Sequence, residues 1–97
     1  MALTNKRNHI LKTWPPYYQD ILSGKKTFEV RKNDRDFQIG DWLLLREWCP
    51  VENEYTGRQV GYVISYVLQG GDFGIAPEYC VLGFRQQILI DGLDLEN

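Results

Sequence analysis

The chain has 97 residues, enough for one domain with a single modest core and no disulfide staples. Its 43% apolar and 13% aromatic content excludes a disordered tail, and its net charge of −2 excludes a uniformly basic binder of duplex nucleic acid. The charge is nevertheless split, with eight Lys or Arg against three acids in residues 1–35 and three Arg against ten acids in residues 36–97.

In chain order, residues 1–7 are polar and expected to fray. His9 to Trp14 reads as a first strand, ended by Trp14-Pro15-Pro16, because a residue before proline is pushed to extended geometry and a proline suits the first turn of a helix. Tyr17, Tyr18, Ile21 and Leu22 then mark one face of a short helix near residues 15–23, with Gly24 just past its end. Lys25 and Lys26 follow, where the helix dipole favours cations. Residues 26–32 form a second strand. Its alternation puts Phe28 and Val30 on one face, expected in the core, and Thr27, Glu29 and Arg31 on the other.

Asn33 to Asp36 is a turn cluster, with Phe37 and Ile39 expected as its buried anchors, and Gly40-Asp41 marks a second turn. Trp42 to Trp48 is a strand apolar on both faces at its start, hence central. An acidic loop, residues 51–57, leads through a turn at Thr56-Gly57 to a long strand, Arg58 to Leu68, expected to pair antiparallel with the preceding one. On that strand Val60, Tyr62, Ile64, Tyr66 and Leu68 share one parity. The glycine-rich loop Gly70 to Pro77 lacks the Lys-Ser/Thr and following helix of a phosphate loop. Tyr79 to Ile90 gives a last strand or two, and residues 91–97 an acidic, flexible tail. Five or six short strands and one helix predict a mostly β (α+β) single domain over residues 8–90, a small barrel or curled sheet. From these alternations Phe28, Val30, Leu44, Val63 or Ile64, and Leu82 are expected to be buried.

Cys49 and Cys80 have no CxxC spacing and His9 is the only histidine, so no zinc-ligand set can be assembled. Two reduced thiols in a cytoplasmic protein are expected, with a disulfide not settled by spacing. Met1 to Asn8 is polar and basic, with no apolar segment of a signal peptide after it, and the apolar run Trp42 to Leu45 is too short to span a membrane. No cofactor, metal or membrane partner is expected, and a monomer is favoured over an oligomer.

The functional interest lies in residues 24–35, which hold five of the eleven basic residues. Lys26 and Arg31 are the best anion contacts, Arg as a planar fork and Lys as a mobile point charge. Glu29 could accept from a base edge or hold Arg31 in place, and Glu29–Arg31 could equally be a plain ion pair. Tyr17, Tyr18 and Trp14 could stack on a base or simply pack. Lys12 could join Lys26 if the first two strands adjoin, and Arg35 sits on a rim loop. His9 reads as a strand-edge residue rather than an acid or base.

Two stretches carry a family resemblance. Gly24-Lys25-Lys26-Thr27-Phe28-Glu29-Val30-Arg31 fits a G-x-K-x-x-E-x-R signature at Gly24, Lys26, Glu29 and Arg31, and His9-Ile10-Leu11-Lys12 precedes Tyr17-Tyr18 and Ile21. On these the chain resembles the ASCH group of the PUA-like superfamily. More closely, it resembles the small bacterial and phage proteins called DUF3850. The marks are Leu11-Lys12-Thr13-Trp14-Pro15, Glu29 through Phe37, Gly40-Asp41, Leu45-Arg46-Glu47, Tyr55-Thr56-Gly57-Arg58, and Gly74 with Tyr79-Cys80-Val81-Leu82. The match runs over residues 8–84.

The resemblance implies a PUA-like β-barrel with a cleft floored by the signature strand, and RNA binding as the general role. Together with the residue reading above, this puts the expected RNA or nucleotide-like ligand at Lys12, Tyr17, Lys26, Glu29, Arg31 and Arg35. A related ASCH branch removes the acetyl group from modified cytidine, using the signature lysine, a threonine and a distant glutamate. Lys26 matches that lysine, but Glu29 stands where the threonine would be. A hydrolase here would have to use Lys26 and Glu29 to activate water, so little deacetylation is expected. A third reading is a protein-interaction module, for instance a phage factor binding a host protein through its acidic surface.

Overall fold

The computed structural model describes residues 7–88, so the expected acidic tail lies outside the described residues, as do residues 1–6. Among the described residues, five strands and one helix run in the order β1 (Asn8–Thr13), α1 (Pro15–Leu22), β2 (Phe28–Lys32), β3 (Trp42–Cys49), β4 (Glu54–Gln69) and β5 (Tyr79–Ile88). They build a single mixed sheet of order β1-β3-β4-β5-β2, in which β1 lies parallel to β3 and the other neighbours are antiparallel. The β3–β4 pairing matches the sequence expectation. The sheet curls into a half-barrel that brings its two edges, β1 and β2, face to face, and side chains span the gap. Thr13 Oγ1 donates to Glu29 Oε2 at 3.5 Å, and Arg31 Nη2 donates to the Lys12 carbonyl.

The chain enters this architecture earlier than the composition suggests. Arg7, expected to fray, is held: its carbonyl accepts the Trp42 amide at 2.8 Å, and its guanidinium donates to Asp41 and to the Asp36 carbonyl. The helix begins as predicted. Trp14 is extended (φ −66°, ψ 149°) ahead of the two prolines at the first helical positions. Ser23 closes it, and Gly24 takes φ +86°, a left-handed turn that costs a glycine little. Tyr18 and Ile21 point inward, and the Tyr62 hydroxyl donates to the Ile21 carbonyl at 3.3 Å, fixing the helix on the concave side of the sheet.

The core lies on that concave side. Leu43 and Leu45 of β3, Val60, Tyr62 and Ile64 of β4, and Leu82 and Phe84 of β5 pack with Leu11 and the helix. Leu44, buried on the opposite face, confirms β3 as a central strand. Phe37 is buried as expected, but Ile39 is exposed. Between them, the Gln38–Asp41 turn is pinned to β4 by paired backbone bonds with Ile64, so only one apolar side chain of the loop faces inward.

Three strand details differ from the alternation. First, β4 starts at Glu54, so the hairpin turn is at residues 50–53. Thr56 and Gly57 form an irregularity within the strand, opposite the register shift between Arg46 and Trp48. Second, register shifts in the β4–β5 pair around Ile64 reverse the faces. Val67 packs against the core while Tyr66, which shares its parity with the buried Val60, Tyr62 and Ile64, is exposed. Third, β2 is inverted. Phe28 and Val30, expected in the core, are 42% and 51% exposed, while Glu29 is 6% exposed. The register explains this. Glu29 and Arg31 sit opposite the buried Leu82 and Cys80 of β5, whereas Phe28 and Val30 sit opposite Gly83 and Val81.

Candidate functional site

The inversion of β2 creates the site. As an edge strand, β2 directs its inward face across a gap to β1 rather than into the apolar core, so polar side chains there can find partners. A carboxylate buried alone would be costly; Glu29 is surrounded. Lys26 Nζ lies 3.5 Å and Arg31 Nε 4.0 Å from Glu29 Oε1, and the Thr13 hydroxyl reaches Oε2. Lys26 Nζ also donates to the Phe28 carbonyl at 2.8 Å. Both cations are only partly buried, so each keeps donors facing solvent.

These groups line an open cleft of about 420 Å³ between the sheet edges. Lys12 and Thr13 come from β1, Lys26, Glu29 and Arg31 from the signature stretch. Trp14 and Tyr17, 52% and 50% exposed, form one wall and Val30 part of another. The Lys26 ammonium stands 5.6 Å from the Tyr17 ring centroid, within cation–π range. Lys12, Lys26 and Arg31 against one carboxylate leave the cleft cationic in a chain that is acidic overall. Five of the six sequence candidates therefore meet here. Lys12 arrives because the curled sheet brings β1 and β2 together without their being sheet neighbours. Arg35 does not line the cleft. It pairs with Asp34 at 3.1 Å and reaches the Ile10 carbonyl at 3.5 Å, so it acts as a further tie between the loop and β1. Tyr18 is buried beneath the Arg58 guanidinium, 4.8 Å from its ring, and is a packing residue.

Sequence reasoning did not single out three residues as polar anchors. Thr13 is buried and hydrogen-bonded to Glu29. Glu47 is buried, accepts from the Thr56 hydroxyl at 2.6 Å and lies 3.6 Å from Arg58 Nε. Its signal was its parity, shared with Leu43 and Leu45. Asp41 is the third. It accepts from His9 Nε2 at 2.8 Å, from the Gln38 amide at 3.0 Å and from Arg7 at 3.3 Å. His9, expected as a strand-edge residue, is on an edge strand but buried, its ring edge-on to Phe37 at 4.7 Å.

Burial pushes the Asp41 carboxyl up. The hydrogen bonds from His9, the Gln38 amide and Arg7, with the Arg7 charge, outweigh it and hold the group below its ordinary range. A carboxyl depressed on folding contributes stability that is present above its unfolded pKa and lost as pH falls through the folded one. Wild type should therefore lose stability as pH drops below about 4. Asp41→Asn should be less stable near neutrality and flatter across that acid range in urea titrations.

Both cysteines are free, and burial, followed by the nearby Asp34 charge, pushes the Cys80 thiol up, which makes it a poor nucleophile. Among the described residues no group of three His, Cys, Asp or Glu comes together for a metal, and no helix is long and apolar enough to cross a membrane.

The chain is thus a small mostly β domain with a cationic, aromatic-walled cleft between its sheet edges. The chain belongs to the family described as "Domain of unknown function (DUF3850)", whose model matches residues 8–84. It is 40% identical over 65 residues to a protein of Escherichia phage P2 described as "Uncharacterized 12.9 kDa protein in GpA 3'region". That match covers 67% of this chain and 58% of the phage protein, less than two thirds of the latter's length.

Proposed function

We propose that the domain is a PUA-like, ASCH-type module that binds RNA or a nucleotide-like ligand in the cleft between β1 and β2. The observation that carries this reading is the convergence of Lys12, Lys26 and Arg31 beside the exposed Trp14 and Tyr17 rings. Cations recognise phosphate, and exposed rings offer a base a stacking face. Glu29 contributes by holding Lys26 and Arg31 in place and by offering an acceptor to an exocyclic amine. The same reading places the domain in the cytoplasm, where two free thiols persist.

The test is a titration with a short single-stranded RNA at several salt concentrations. Each phosphate contact should add about −0.7 to the salt slope of log affinity. Lys26→Ala should weaken binding roughly tenfold, the size expected for one charge-assisted hydrogen bond. Lys25→Ala, an exposed lysine outside the cleft, should leave it unchanged. Equal losses from both would reduce the site to diffuse charge attraction.

Hydrolysis of an acylated nucleoside is a second reading, favoured by the Thr13 hydroxyl, which places a hydroxyl next to Glu29 and Lys26. It ranks second because that hydroxyl is buried and directed at the carboxylate. Little or no free cytidine is expected from N4-acetylcytidine. Release that vanishes in Lys26→Ala and in Glu29→Gln would promote the hydrolase.

A further inference from the structure

We propose that the ligand is a strand of more than one nucleotide, and that its phosphodiester backbone leaves the cleft at Lys12 and continues over the outer face of β1, β3 and β4 along Trp48, Arg46 and Tyr55. This rests on the cleft reading and extends it to a second surface. Lys12 belongs to both. It lines the cleft, and its ammonium stands 3.8 Å above the Trp48 ring and 5.9 Å from the Tyr55 ring. Trp48 and Tyr55 meet edge to face at 4.9 Å, and the Arg46 guanidinium lies 4.0 Å from the Tyr55 centroid.

The sheet dictates this arrangement. Register places Lys12 opposite Arg46 and Trp48 opposite Tyr55. Leu11, Leu45 and Glu47 are buried inward, so alternation turns Lys12, Arg46 and Trp48 outward together. The result is a run of two cations and two rings across adjacent strands, beginning at the cleft mouth.

The charge pattern separates this face from an ordinary solvated one. Among the described residues, Arg7, Lys26, Arg31, Arg35 and Arg58 each have a carboxylate within 4.0 Å. Lys12, Lys25, Lys32, Arg46 and Arg85 have none among the described residues, and of these Lys12 and Arg46 stand over rings. Their charges remain available to an external anion, and the rings hold the cations in place beforehand, which reduces the side-chain ordering cost on binding. Alternating cations and rings is how a surface follows a single strand without reading its sequence, the cations tracking phosphates and the rings meeting bases. Glu52 and Glu54 at the hairpin repel a polyanion and set the far limit of the track.

Uridine 5′-monophosphate and octauridylate are the probes, with octathymidylate to compare DNA with RNA. The octamer should bind wild type at least roughly tenfold more tightly than the monophosphate. Arg46→Gln should weaken octamer binding roughly three- to tenfold, lower its salt slope by about 0.7, and leave monophosphate binding unchanged, while Arg46→Lys restores much of the loss. The same Arg46 dependence is expected with either oligonucleotide. Octamer affinity indifferent to Arg46→Gln, with monophosphate binding still dependent on Lys26, overturns the track and spares the cleft. Monophosphate binding indifferent to Lys26→Ala overturns the cleft reading, and the track loses its starting point with it.

Discussion

Phe37→Ala should destabilise the domain by roughly 3–5 kcal/mol, whereas Phe28→Ala should cost about 1 kcal/mol or less. Phe37 is 2% exposed, lies in the core cluster and packs edge-on against His9. Truncating it removes a large apolar side chain and opens a cavity beside the His9–Asp41 hydrogen bond. Phe28 is an exposed aromatic on the outward face of β2, 5.0 Å from the Lys26 ammonium, and loses little on truncation. Urea unfolding of the two variants measures this directly. A larger loss from Phe28→Ala would mean that β2 presents its other face to the core.

That contrast marks where the sequence was informative. The helix at residues 15–22 was legible because Pro15 and Pro16, the tyrosine–isoleucine spacing and Gly24 all report local preferences. So was the centrality of β3, because Leu43, Leu44 and Leu45 leave no polar face. The facing of β2 was not. Alternation gives two faces but not which is inward, and the habit of assigning the apolar one to the core fails on an edge strand that looks across a polar gap. The reversal along β4 was hidden for a related reason, since register shifts around Ile64 are set by pairing with β5 and by the Gly40–Asp41 turn, both distant in sequence. Lys26, Glu29 and Arg31 were legible as a group. Their meeting with Lys12 and Thr13 required the curl of the sheet.

Arg31→Ala should weaken RNA binding more than Lys26→Ala does, by roughly tenfold to a hundredfold, and Arg31→Lys should recover only part of the loss. The guanidinium is the one cleft cation tied to both sheet edges. It donates to the Lys12 carbonyl on β1 and approaches Glu29 on β2. Its removal takes away a charge-assisted hydrogen bond, about 1.5–3 kcal/mol, and loosens the gap across which Lys12 must be placed. A lysine keeps the charge but lacks the planar fork that can serve the carbonyl and a phosphate at once. Binding isotherms on the three variants, with unfolding curves to confirm that each is folded, separate the two contributions. Full recovery in Arg31→Lys would mean that charge alone matters there.

A 1H–15N chemical-shift titration of the domain with octauridylate reports directly on whether a strand enters the cleft. Binding in the cleft gives saturating shifts at the amides of Lys12, Thr13, Tyr17, Lys26, Glu29 and Arg31, with a common affinity, and little change in the loop at residues 70–78. Shifts confined to that loop or to the hairpin turn at residues 50–53, or a spectrum unmoved at saturating RNA, would contradict it.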